Sequence, residues 1–159
     1  FEYPWRYSLS IFEEAPLVDD LGPVWKRNGQ ALVGGAKYGP RQGADAVDNL
    51  AAAIERRGPG IDVSEIRPGL EVAAYARREN AAYLREAFPG EPDLEQVASL
   101  FDHASGEYYQ VLDAIEDGIK DQGEAQGKAL GGAQQIAARL HGAAIAEREA
   151  GGLLLRRGE

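Results

Sequence analysis

Apolar residues in this chain follow two different rules on either side of about residue 40. Beyond that point they recur at spacings of three and four, the period of one helix face. A first helix is predicted from about Gly43 to Arg57, with Val47, Leu50, Ala51 and Ile54 on one stripe, and Gly58-Pro59-Gly60 ends it. A second begins near Ser64 or Pro68, since proline suits a first helical turn, and stops at Pro89-Gly90. Leu70, Ala74, Arg77, Ala81, Leu84 and Phe88 alternate spacings of four and three along it, a seam that faces other helices. A third starts at Asp93, a cap residue with Gln96 three positions on. Its stripe is Leu94, Val97, Phe101, Ala104, Tyr108, Leu112, Ile115 and Ile119. A fourth, roughly Glu124 to Ala150, places Leu130, Ala133, Ile136, Leu140 and Ala144 on one face. It contains Gly127, Gly131, Gly132 and Gly142, each costing about 1 kcal/mol relative to alanine. The short connections favour antiparallel neighbours, so the expected fold is all-α, an up-down-up-down four-helix bundle over residues 41–150. Residues 151–159 read as a loose C-terminal tail.

Residues 1–40 obey no such period. Prolines stand at 4, 16, 23 and 40, and seven of the thirteen aromatics lie between Phe1 and Tyr38. The segment reads as an extended, irregular N-terminal arm with at most a short helical piece around Val24 to Val33. Such aromatic density is foreign to disordered tails. The arm therefore either folds over its own bundle or lies on another protein, and Trp5, Tyr7 and Trp25 are the anchors expected of the second case.

Composition narrows the functions available. Alanine dominates the apolar 44%, so the helices should pack closely around a thin core. A net charge of −9 opposes phosphate backbones, which excludes nucleic acid as a partner. No run approaches the roughly 20 apolar residues of a membrane span, and no positive-then-apolar signal pattern is seen. A start at Phe1 without Met is what either a processed mature chain or a trimmed one would show. Cysteine and methionine are both absent, which removes disulfides and thiolate chemistry and suits an oxidising compartment.

The residues of catalysis and metal binding do not assemble in sequence. His103 and His141 are the two imidazoles, and the positions three before them are Leu100 and Ala138, so the Glu-x-x-His pairs of helical metal sites are missing. Gly34-Gly35-Ala36-Lys37 and Gly127-Lys128-Ala129 lack the Ser/Thr and spacing of a phosphate loop. Glu116, Asp117 and Asp121 read as a solvated helix face, and the serines have no nucleophile-elbow context. A non-catalytic protein without cofactor or metal is the expectation.

The sharpest charged feature is basic. The second predicted helix carries Arg67, Arg77, Arg78 and Arg85, whereas residues 93–159 hold twelve acids against six bases. These arginines either steer an acidic partner or pair locally with Glu71, Glu79 and Glu86. Around them the pattern resembles the PsbQ-like extrinsic proteins of photosystem II. The entry Arg67-Pro68-Gly69-Leu70, the pair Arg77-Arg78-Glu79, the run Ala81 to Phe88 closing at Pro89, and Val97-Ala98-Ser99-Leu100-Phe101 match that family's order and spacing. The Ile61 neighbourhood replaces the family's aromatic before the second helix, and the aromatic arm and glycine-rich fourth helix depart from it too.

The resemblance implies a four-helix bundle in the thylakoid lumen, peripheral to the membrane. There it would dock on subunits of photosystem II and stabilise the oxygen-evolving machinery, with Arg77 and Arg78 on the docking face. The other reading of the same residues is a ligand-binding helical sensor domain of a periplasmic or extracellular receptor. That reading requires a pocket between helices, with Arg77 and Arg78 gripping an acidic ligand.

Overall fold

Three of the helical seams close on one another, and the others attach around them. The computed structural model describes residues 20–34, 42–58, 63–122 and 132–159. They form α1 (Gly22–Val33), α2 (Gly43–Arg57), α3 (Val63–Ala87), α4 (Pro92–Gln122) and α5 (Ala133–Arg157), with no strand among the described residues. The protein is all-helical. Along α3 the buried seam is Leu70, Ala74, Ala81 and Leu84, with Arg77 at the middle step. Along α4 it is Leu94, Val97, Phe101, Ala104, Tyr108, Val111 and Ile115. Along α5 it is Ile136, Leu140, Ala143, Glu147, Ala150 and Leu154, again alternating four and three. Alanine fills many of these steps, so each helix buries modest area but approaches its neighbour closely.

Helix α4 packs against α3 and α5, and α5 also packs against α1 and α2. Gly22 meets Gly158 and Gly29 meets Gly151. Asp45 reaches Arg148, and Glu55 lies near His141. Numbers rise on one side as they fall on the other, so α1 and α2 both run antiparallel to α5, one after the other. Together they behave as a single rod broken between residues 34 and 42. Asp20 caps the entry to this rod, its Oδ1 accepting from the Gly22 amide at 2.8 Å.

Glycine is required where α1 crosses α5. A Cβ on Gly29 would stand 2.7 Å from the Gly151 carbonyl oxygen, and one on Gly158 would stand 2.7 Å from that of Gly22. Both obstacles are backbone, which cannot rotate away. The two glycines of each helix are seven residues apart, so they fall on one face and let the backbones touch.

Several sequence expectations are corrected here. Residues 151–157 are not a loose tail: they complete α5, with Gly151 and Leu154 buried against α1. Gly151, where the tail was expected to begin, serves close packing instead. Helix α5 begins at Ala133, after Gly132 with its left-handed φ of 71°, so the expected helix is not continuous through Gly132; its expected start at Glu124 lies outside the described residues. The segment 20–33 is not an extended arm: α1 is docked, and Trp25 and Leu32 belong to the core. Helix α4 starts at Pro92, which puts Asp93 inside the first turn, where its charge favours the helix N-terminus. Residues 1–19, including Trp5 and Tyr7, lie outside the described residues, as does Gly127.

The buried apolar residues form two clusters. One gathers Ala51, Ile54, Leu70, Ala74, Val111, Ile115, Ile136 and Leu140 among others. The other gathers Trp25, Leu32, Ala81, Leu84, Leu94, Val97, Phe101, Ala150 and Leu154. Arg77 on α3 and Glu147 on α5 fall between them along their helices.

Candidate functional site

A charged residue at a seam position must find a partner across the seam or destabilise it. Arg77 and Glu147 each occupy such a position and answer one another. Arg77 Nε donates to Glu147 Oε1 at 2.8 Å, and the Tyr108 hydroxyl donates to the same oxygen at 2.8 Å. Glu147 is only 1% exposed, while Arg77 retains 20%. Burial holds the Tyr108 hydroxyl well above its ordinary pKa, and the adjoining Glu147 carboxylate pushes the same way. Tyr108 therefore stays a donor throughout the usable pH range. One turn earlier, Ser105 Oγ donates to the Ala74 carbonyl at 2.8 Å, tying α4 to α3. No buried side-chain polar atom among the described residues lacks a partner.

Above this polar layer lies a groove of about 390 Å³. Trp25, Asn28 and Leu32 of α1 form one wall, and Arg77, Asn80, Tyr83 and Leu84 of α3 form the other. Phe101 and Leu154 supply apolar floor. The Arg77 guanidinium stands 5.7 Å from the centre of the Phe101 ring, within cation–π reach. Among the described residues no acidic side chain lines the groove. The cleft exists because α1 and α3 have no backbone contact among the described residues: each is held by α5 or α4 instead.

A second polar cluster clasps α2 to α5. Arg148 donates to Asp48 Oδ2 at 2.7 Å and to Asp45 Oδ1 at 3.3 Å, and His141 Nδ1 lies 2.8 Å from Asp48 Oδ1. Burial works against the Asp48 charge, but hydrogen bonds from Arg148 and His141 prevail and hold its carboxyl below the ordinary range. Arg148 is correspondingly raised by its bond to Asp48, in spite of some burial. Between α4 and α5, buried Glu107 faces Arg139 at 3.4 Å. These clusters are solvent-edged ion pairs. Among the described residues no group of three or more His, Cys, Asp or Glu side chains could hold a metal ion.

The residues expected to grip a partner have mixed positions. Trp25 is 8% exposed, stacked edge-on to Phe88 with ring centres 5.3 Å apart, and so serves the core instead of an external surface. Arg77 is engaged with Glu147. Arg85 bridges Glu95 at 2.9 Å and Asp102 at 2.6 Å, fastening α3 to α4. Arg67 pairs with Glu71 one turn along, and Arg78 lies beside Glu79 and over the Tyr75 ring, both on the exposed side of α3. Sequence reasoning missed Glu147 and the hydroxyl of Tyr108. The available signal was the alternating register of α5, in which Glu147 takes a seam step as Arg77 does on α3. No protein-family model, curated protein or solved structure matches the chain.

Proposed function

We propose that the chain is a non-catalytic helical binding domain whose groove between α1 and α3 receives a small amphipathic molecule. In this reading the helices make an up-down-up-down four-helix bundle in which α1 and α2 share the first rod. The observation that carries it is the convergence of Arg77, Asn28 and Asn80 on a 390 Å³ groove otherwise walled by Trp25, Tyr83, Phe101 and aliphatic side chains. The groove combines aromatic and aliphatic walls with nearly as much polar surface, and its volume is near the lower end of the usual ligand-site range of about 300–1,000 Å³. The reading is tested by two-dimensional NMR against a library of small amphipathic compounds. It predicts shifts confined to groove residues, with the Trp25 indole among them, and it fails if no compound moves them.

A second reading is favoured by the outer face of α3. Tyr75 and Tyr83 are 55% and 61% exposed there, with Val72 and Arg78 beside them. Exposed tyrosine and arginine together are the usual anchors of a protein contact. With the resemblance to the PsbQ-like family, this supports an extrinsic subunit docked on the lumenal side of photosystem II, peripheral to the thylakoid membrane. No helix among the described residues is long and apolar enough to cross a membrane, in keeping with that role. Rebinding to salt-washed photosystem II membranes tests it: loss of rebinding on Tyr75→Ala with Tyr83→Ala is expected, and failure of the unaltered protein to rebind removes the reading.

A further inference from the structure

We propose that the groove selects a monocarboxylate with a flat apolar body, its carboxylate held by the two Nη atoms of Arg77. The inference rests on the groove being a ligand site and concerns what that site takes. Arg77 has five N–H donors, and its Nε hydrogen is spent on Glu147. Among the described residues the Nη atoms make no other hydrogen bond, although the side chain lines the groove. The Phe101 ring, 5.7 Å from its central carbon, and the Glu147 carboxylate both restrain the guanidinium. Its free edge then presents paired parallel donors, the arrangement a carboxylate matches with two bonds.

Charge sets the ligand's valence. Among the described residues Arg77 is the only charged one lining the groove, and its charge is formally balanced by buried Glu147 behind it. The free Nη donors, and not a surplus of positive charge, would hold a ligand carboxylate, and a second negative charge would find no partner. A phosphate or dianion would meet too few donors, in a protein of net charge −9. A cation would face the guanidinium without a lining carboxylate to receive it. The apolar body is set by Trp25, Tyr83, Phe101 and Leu154, whose rings and aliphatic surface suit a planar group. Asn28 and Asn80 offer amides at the exposed edge for a second polar atom on the ligand.

The probes are indole-3-acetate and its neutral isostere indole-3-acetamide, titrated into the full chain by NMR and calorimetry. The carboxylate is expected to bind about tenfold tighter than the amide, the size of one charge-assisted pair. Asn80→Asp, at an exposed position one turn from Arg77, places a competing carboxylate at the guanidinium. It should erase that preference. The double substitution Arg77→Gln with Glu147→Gln should do the same, with helicity by circular dichroism as its folding control. Equal affinity for acid and amide in the unaltered protein overturns the carboxylate assignment and leaves the groove standing as a neutral-ligand site. Preference that survives Asn80→Asp also overturns it. Absence of any groove shift with either compound, where other amphipathic compounds do bind, rejects this ligand class alone. Absence of shifts with every compound rejects the groove as a ligand site and this inference with it.

Discussion

Helix α5 meets its neighbours in two contrasting ways within a single turn of its own length. At Gly151 it lets α1 approach until backbone touches backbone, and Gly29 answers with the same concession. At Glu147, four residues earlier, it reaches α3 only through a side chain, and the two backbones stay apart. Removing a side chain closes a gap, and a long charged pair spans one. The groove lies beside the spanned gap, and its α1 wall is anchored by the closed one. A cavity in a small protein thus needs no special element, only two adjacent seam steps filled by opposite means.

The largest expected effect falls on the spanned side. Arg77→Ala leaves Glu147 buried with Tyr108 as its remaining partner, and should cost about 3–5 kcal/mol in denaturant unfolding. Arg77→Leu combined with Glu147→Leu should recover most of that loss, since apolar replacement of a whole buried pair is often neutral. A single substitution costing under about 1 kcal/mol would show that the pair spans nothing that matters. On the closed side, Gly29→Ala should cost about 1–3 kcal/mol, because the methyl would strike the Gly151 carbonyl and the Leu155 amide. Gly151→Ala should cost a similar amount, and the two should be non-additive, since they press on one contact.

Glycines away from that contact sharpen the distinction. A Cβ on Gly69 or Gly106 meets nothing within 4 Å, and both sit inside helices. Gly69→Ala and Gly106→Ala should therefore raise stability by about 0.5–1 kcal/mol each, the opposite sign to Gly29→Ala. The smallest effect belongs to the α2–α5 clasp. Asp48 is held below its ordinary 3.8 in the folded protein, so its ionised form favours folding. That contribution is complete above about pH 4 and disappears as the pH falls through the folded value. Asp48→Asn should lower stability at neutral pH by under about 1 kcal/mol, given its solvent-edged position. It should also flatten the acid limb of the stability curve, as measured by thermal unfolding from pH 2 to pH 7.

Much of this arrangement could be read from residue order, but unevenly. The seams of α3 and α4 were legible because their steps keep the three-and-four spacing, from Leu70 to Phe88 and from Leu94 to Ile115, although Val111 and not Leu112 takes one buried step. The short helix around Val24 to Val33 was legible too, while its docking was not. Nothing local to Trp25 says whether an aromatic faces a partner or its own core. The end of α5 was misread because glycine carries two meanings. Gly132, with its left-handed backbone, breaks the helix, whereas Gly151 permits close approach inside it. Both are the same letter, and only the facing residue separates them. Arg77 was picked out as basic and seam-bound at once, yet assigned outward, because its partner stands seventy residues away. Glu147 went unnoticed among alanines. The groove itself was invisible, since it is made by a contact that does not form.

The polar layer has a consequence for how the protein breathes. Because Arg77 on α3 and Glu147 on α5 fall between two apolar clusters, the halves of the molecule need not open together. Lifting α1 would uncover Trp25, Leu32 and Leu154 yet leave Ile54, Val111 and Leu140 covered. Amide exchange should accordingly resolve two cooperative units, with the α1 end opening at the lower free energy, so that access to the cleft is governed by a local fluctuation that leaves the rest of the fold intact.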